Sequence, residues 1–168
     1  MMRRGPTEPM TRDASDQNLR IEDIDHLSDD FGELIALSLR EDFYAMQRMR
    51  DDWDAGTNRF DRPGEILFEA RAGARLVGIC GLNRDPYAKS SEVGRVRHLY
   101  VDPEFRRRGV GRSLVFKIME CASRSFLRLR LRTLRADADL FYVALGFRRV
   151  AGETEVTHEM ALRSIGSA

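Results

Sequence analysis

The sequence predicts a single α/β (α+β) domain built on a mixed, mostly antiparallel sheet of about six to seven strands, and three observations carry that prediction. The apolar run Leu99-Tyr100-Val101 is followed by the glycine-containing turn Arg106-Arg107-Arg108-Gly109-Val110-Gly111-Arg112-Ser113 and then by helix-spaced apolar residues from Leu114 to Ile118. The runs 65–72 and 75–83 are joined only by Gly73-Ala74, the pattern of an antiparallel hairpin. A third unit, 139–147, reads as a helix stopped at Gly146 with Phe147 opening the next strand.

In chain order, 1–18 has no hydrophobic centre and is expected to be a disordered leader, with the domain covering 19–168. Residues 19–25 suit a short first strand. From Asp29 to Asp54, the apolar positions Leu34, Ile35, Leu37, Leu39, Phe43, Met46 and Met49 suit one or two amphipathic helices, broken near Ala55-Gly56-Thr57-Asn58. Pro63-Gly64 punctuates before the hairpin, and 95–102 is the next strand. A helix over 111–125 follows, with Leu114, Val115, Ile118, Cys121 and Ala122 on one face. In 126–134, Leu127, Leu129 and Leu131 alternate with Arg128, Arg130 and Arg132, a strand with one apolar face. The runs 147–150 and 155–162 read as a closing hairpin.

Composition narrows the function classes. With 42% apolar and 33% charged residues, 168 residues are enough for one real core. A net charge of +1 argues against bulk nucleic-acid binding, and no apolar run reaches the length of a membrane span. Cys80 and Cys121 are too few for a disulfide framework or a zinc site, so no metal and a cytoplasmic setting are expected.

The turn at 106–113 carries the chemistry. A helix entered from a strand presents backbone N–H groups with no helical partner, and glycines at 109 and 111 let an anion approach them; four arginines add charge. A triphosphate P-loop would need a longer glycine spacing and a lysine where Arg112 stands, and the dinucleotide fingerprint would need a glycine at Leu114. The remaining pattern, R-x-x-G-x-G, resembles the pyrophosphate loop of the GNAT-type N-acetyltransferases. Phe141-Tyr142-Val143-Ala144-Leu145-Gly146-Phe147 is similar to that family's F-Y-x-x-x-G-F helix end. The resemblance covers roughly 19–163. An ordinary solvated turn at 106–113, and a Tyr142 that merely packs on Phe141 and Phe147, are the competing structural readings.

The resemblance implies helices on both sheet faces and a central pair of parallel strands that splay apart to admit acetyl-CoA, used as a co-substrate. It implies cofactor contacts from Leu99, Tyr100, Val101, Arg106, Arg107, Arg108, Gly109, Val110, Gly111, Arg112 and Ser113, and a Tyr142 that protonates the departing thiolate. Transfer would be direct, to a primary amine, with no covalent enzyme intermediate. Homodimers are common in such a family.

Two departures from the family pattern bear on the site. Relatives often carry a glutamate or histidine base on the fourth strand, where this chain has Arg95 and Arg97; these are expected to recognise a carboxylate on the acceptor. His98 has the opposite strand parity and points away unless a bulge turns it, while Glu69 and His158 are other candidate bases, and proton loss through water is an alternative. Arg135 replaces an asparagine that contacts the CoA arm in many relatives. Trp53, within 53–61, and Asn83 are expected to shape the acceptor site, with a loop pinned to the core by Trp53 and Phe60 as the alternative for the former. The favoured function is N-acetylation of a small-molecule amine. A protein or peptide N-acetyltransferase, and a non-catalytic acyl-CoA-binding sensor, are the alternatives.

Overall fold

The computed structural model describes residues 18–163. The expected leader therefore lies, but for Asn18, outside the described residues. Seven strands form one sheet in the order β1-β2-β3-β4-β5-β7-β6. They are β1 (Leu19–Asp23), β2 (Ile66–Ala72), β3 (Arg75–Arg84), β4 (Val93–Val101), β5 (Arg128–Leu131), β6 (Arg148–Arg149) and β7 (His158–Ala161). Every pairing is antiparallel except β4 with β5.

Four helices flank the sheet: α1 (Phe31–Arg40), α2 (Ala45–Ala55), α3 (Val110–Ala122) and α4 (Ala136–Ala144). The apolar stretch before Gly56 is thus two helices, and the second ends where Gly56 takes a left-handed φ of 74°. Helical spacing places Phe31 and Leu34 of α1 with Met46 and Met49 of α2 against Leu67, Ile79 and Tyr100 on one sheet face. On the other face Val110, Leu114, Val115, Ile118 and Ala122 of α3 meet Val77, Cys80, Leu82 and Val96, and Tyr142 of α4 joins them. Side chains of this size contribute about 1.5–3 kcal/mol each when fully buried, so the two cores together clamp the sheet from both sides.

The expected strand 126–134 is shorter, spanning Arg128–Leu131; Leu129 and Leu131 lie in the core, as does Phe126 just before the strand, while Leu127 between them is 51% exposed. Among the described residues, no helix is long and apolar enough to cross a membrane, and no cluster of potential metal ligands occurs.

Two irregularities position the site. β4 and β5 are paired only at Val93–Arg128, Gly94–Leu129 and Arg95–Arg130, after which β4 runs on to Val101 without a β5 partner. The β3–β4 register also slips: Ile79 faces Tyr100 while Gly81 faces Arg97, so β4 holds one extra residue, and His98 there has a left-handed φ of 59°.

Candidate active site

Beyond Arg95 the parallel strands part, and the β4 edge at Leu99, Tyr100 and Val101 is left without a strand on that side. The chain leaves this edge through Asp102, whose side chain caps the short turn Pro103–Phe105 by accepting from the Glu104 N–H (3.0 Å), and then enters the arginine–glycine turn. Gly109 caps α3 with φ 81°, a conformation that a side-chain-bearing residue adopts only with strain. The first helical hydrogen bond runs from the Ser113 N–H to the Gly109 carbonyl (3.0 Å), so the N–H groups of Val110, Gly111 and Arg112 precede the helical ladder. A Cβ on Gly109 would meet nothing within 4 Å, and one on Gly111 would only touch Phe141 (3.5 Å) and Val101 (3.6 Å). The space beside Gly109 is therefore open, while Gly111 is backed by Phe141 and Val101.

The arginines of the turn divide into two kinds. Arg107, Arg108 and Arg112 are exposed, the last two lying over the rings of Phe105 (5.2 Å) and Phe116 (5.1 Å). Arg106 is placed differently from the expectation. Its Nε donates to the Val101 carbonyl (3.0 Å), and its two Nη atoms donate to Glu41, the residue that ends α1 (2.6 and 2.7 Å). The Tyr100 hydroxyl donates to the same carboxylate (2.6 Å). These bonds hold the Glu41 carboxyl below its ordinary range, and burial beside Glu41 raises the Tyr100 phenol. Nothing near Glu41 in the chain announces this pairing, because its partners lie about sixty residues away.

Tyr142 lies on α4, one turn before the left-handed Gly146 (φ 100°). It is 6% exposed, with its ring against Phe141 (5.0 Å) and Phe147 (5.5 Å) and near His158 (6.1 Å). Burial drives its phenol far above the ordinary value, so the hydroxyl keeps its proton throughout the neutral range. Because Phe141 also borders Gly111, α4 sits beside the entrance to α3.

On the sheet face under α1 and α2, several expected acceptor residues are engaged elsewhere. Arg95 is 6% exposed; it lies 3.5 Å from buried Asp85, donates to the Glu155 carbonyl (2.8 Å) and stacks on Tyr87 (4.9 Å). Its guanidinium is thus held inside the protein rather than presented to an acceptor. Asn83 is buried, exchanges amide hydrogen bonds with Asn58 (2.9 Å each way) and donates to Glu65. Trp53 lies within α2, half-buried against the α1–α2 core, not in the loop that follows. Phe60 pins that loop: its ring occupies the space a Cβ on Gly81 would need.

Of the candidate bases, Glu69 is held by Arg71 (2.6 Å), and His158 lies between Asp139 (2.8 Å) and Thr157 (2.8 Å). His98 is turned by the bulge onto the same face as Arg97, edge-on to Phe60 (6.2 Å). Arg97 has no ion-pair or hydrogen-bond partner among the described residues. Arg135 stands at the start of α4 and pairs with Asp137 (3.1 Å).

A strand pair that parts beside a glycine turn is the arrangement that the resemblance to the GNAT-type acetyltransferases implies, and comparison with known proteins agrees. The family model described as an acetyltransferase (GNAT) domain matches residues 63–149. A solved structure described as an acetyltransferase from Exiguobacterium sp. 255-15 is 32% identical, with a TM-score of 0.76, covering 86% of this chain and 93% of that one. Among curated relatives, N-alpha-acetyltransferase RimI of Mycobacterium tuberculosis is 35% identical over 102 residues, 60% of this chain and 64% of the relative. A protein of Mycobacterium leprae is 33% identical over 102 residues, 58% of this chain and 28% of its own length. The chain thus spans less than two thirds of the length of these two curated relatives. The chain belongs to the GNAT acetyltransferase family.

Proposed function

We propose that this chain transfers the acetyl group of acetyl-CoA to a primary amine, and that the amine belongs to a small molecule. The observation that supports this reading best is the unpaired β4 edge at 99–101, bordered by the N-terminus of α3 and by α4 with Tyr142. The residues fit the co-substrate. The open space beside Gly109 would admit a diphosphate to the N–H groups at the start of α3, where the first helical hydrogen bond begins only at Ser113. Arg107, Arg108 and Arg112 surround that space with charge, while Arg106 supports it through Val101 and Glu41. The backbone of Leu99, Tyr100 and Val101 offers an extended arm the hydrogen bonds of an added strand.

Acetyl-CoA supplies an acetyl group on a thioester whose sulfur must be protonated as it departs. Tyr142 is suited to hold that proton, since its phenol stays neutral until it is needed. The amine must arrive unprotonated. At pH 7 this costs about 4.6 kcal/mol for a lysine-like amine and about 1 kcal/mol for an α-amine. No carboxylate on β4 lowers that cost, which favours an acceptor of low amine pKa.

The likeness to the N-alpha-acetyltransferase RimI of Mycobacterium tuberculosis supports a second reading, in which the α-amine belongs to a protein. In this proposal the unit from residue 19 onward is the catalytic domain, working in the cytoplasm, alone or as a homodimer. The test is release of free CoA thiol from acetyl-CoA against amino acids, polyamines, aminoglycosides and short peptides, with acetyl-CoA binding followed by calorimetry on the same sample. Turnover with small amines supports the first reading and turnover confined to peptides the second. Tight binding with no turnover would leave only a sensor.

A further inference from the structure

Among the described residues the Tyr142 hydroxyl takes no hydrogen bond, so the direction in which it points is set by what its ring packs against. Phe141 and Phe147 flank it from the same stretch of chain and offer only apolar edges. The third ring, 6.1 Å away, is that of His158 on β7, and it is 3% exposed.

The His158 imidazole is fixed at both nitrogens. Nε2 lies 2.8 Å from Asp139 Oδ1, and Nδ1 lies 2.8 Å from Thr157 Oγ1. Arg149 donates to both oxygens of Asp139 (2.9 and 2.8 Å), and Arg149 first, then His158, hold that carboxyl down at about 2. An ionised carboxylate only accepts, so Nε2 carries the imidazole proton, and in the neutral ring Nδ1 accepts from the Thr157 hydroxyl. Thr157 Oγ1 accepts in turn from the Thr133 N–H (2.9 Å). Turning the imidazole about its Cβ–Cγ bond would break the bonds on both sides.

These bonds join the elements that carry Tyr142 to the strand that parts from β4. Asp139 stands on α4 one turn before Tyr142 and so on the same helix face. His158 lies opposite Leu131, the last residue of β5, and the Thr157 N–H donates to the Leu131 carbonyl (2.9 Å).

We propose that His158 is a positioning residue for the reaction: held between Asp139 and Thr157, it fixes the Tyr142 ring so that the hydroxyl meets the departing sulfur. The inference rests on the transfer reading above and adds to it a residue that acts through Tyr142. With both nitrogens engaged and its ring buried, His158 is not the base that receives the amine proton. Misplacing a reacting group by about 1 Å can cost about 10²-fold in rate, so a residue that holds the donor in place matters to kcat without touching either substrate.

Two measurements test the proposal. The first compares kcat in His158→Gln and His158→Phe, each made alone and together with Tyr142→Phe, with acetyl-CoA binding verified by calorimetry. Glutamine keeps a donor for Asp139, whereas phenylalanine keeps only a ring. His158→Phe should lower kcat by about tenfold or more and leave KM for acetyl-CoA within about twofold, and His158→Gln should recover most of the loss. In the Tyr142→Phe background either His158 substitution should change kcat by less than about twofold, because the group it positions is gone. Losses that add in the double variants would overturn the proposal, since general damage to the fold would slow the Tyr142→Phe enzyme as well. Asp139→Ala, which releases Nε2 without altering a ring beside Tyr142, should show the same non-additivity and serves if His158→Phe does not fold.

The second measurement needs no acceptor. With ring-¹³C tyrosine in the protein, the Tyr142 signals are followed by NMR in the unsubstituted chain, in Asp139→Ala and in Thr157→Val. Signals that broaden or double in both variants support the positioning role even if no amine is turned over, in which case the transfer reading is what fails. Signals unchanged in both, alongside turnover of an amine, would leave the transfer reading standing and sink the role of His158.

Discussion

Arg106 and Glu41 form a two-point ion pair, 2.6 and 2.7 Å, that ties the turn after β4 to the end of α1. The pair also gathers the Tyr100 hydroxyl and, through Arg106 Nε, the Val101 carbonyl. Arg106 is therefore a brace between the turn that leads into α3 and the end of α1. Replacing it with glutamine should lower thermal stability by about 1 kcal/mol, the scale of a partly exposed pair with good geometry, and change acetyl-CoA affinity less than Arg108→Gln or Arg112→Gln does. Melting curves and calorimetry on the three variants give the comparison; a larger affinity loss for Arg106→Gln would return that residue to the phosphate site.

The same pair sets a pH dependence. The Glu41 carboxyl is lowered in the folded state by Arg106 first and by Tyr100 after desolvation, and that of Asp30 is lowered chiefly by Arg71. A carboxyl with a depressed folded pKa contributes stability that is fully present above its unfolded value and is lost as pH falls through the folded one. Stability should therefore decline on acidification below about pH 4.5, the ordinary carboxyl range. Glu41→Gln should start lower and decline less steeply, as read from denaturant midpoints between pH 3 and 7.

Gly109 separates folding from binding. With φ 81° and nothing near a Cβ, Gly109→Ala should fold and retain acetyl-CoA binding, at a cost of about 1 kcal/mol from backbone strain. Gly109→Glu adds a negative charge to the space in front of the α3 N–H groups and should abolish measurable binding. If calorimetry shows affinity retained in the glutamate variant, the diphosphate is not bound there.

Tyr142→Phe tests the proton donor. The ring contacts to Phe141 and Phe147 remain, so stability and acetyl-CoA affinity should change little while kcat falls by about 10² or more. Because the phenol is displaced upward, the wild-type rate should show no alkaline limb from Tyr142 below pH 10. An unchanged kcat would remove Tyr142 from the reaction.

Asp85→Asn leaves the buried Arg95 guanidinium without its counter-charge. Breaking one side of such a pair should cost about 3–5 kcal/mol, far more than neutralising the unpaired Arg97. Equal melting temperatures for Asp85→Asn and Arg97→Gln would contradict the division of roles between Arg95 and Arg97.

Much of the fold was legible from local pattern. Gly73-Ala74 marked the hairpin, Gly146 marked the end of α4, and the leucines alternating from 127 to 131 marked β5, because each signal depends on the backbone and side chains of a few adjacent residues. Boundaries failed where pairing with distant residues decides: Leu127 belongs to the alternation, yet the ladders to β4 and β7 begin at Arg128. The pairing of Glu41 with Arg106 and the approach of the Phe60 ring to His98 have no local signature. The carboxylate expectation for Arg95 followed the place of the base on the family's fourth strand, which assigns a position in the chain but does not show what meets the side chain there.

The sequence by itself determined the order of elements, the glycine turn before α3 and the tyrosine before Gly146, since these follow from periodicity, allowed φ values and turn chemistry. Only the tertiary structure decided which cations are free. Asp85 stands 3.5 Å from Arg95 as its counter-charge, Glu41 pairs with Arg106, and one extra residue in β4 reverses the parity of His98. An ion pair depends on distance in space between residues far apart in the chain, and a bulge depends on register with a neighbouring strand; neither quantity is contained in a local run of residues.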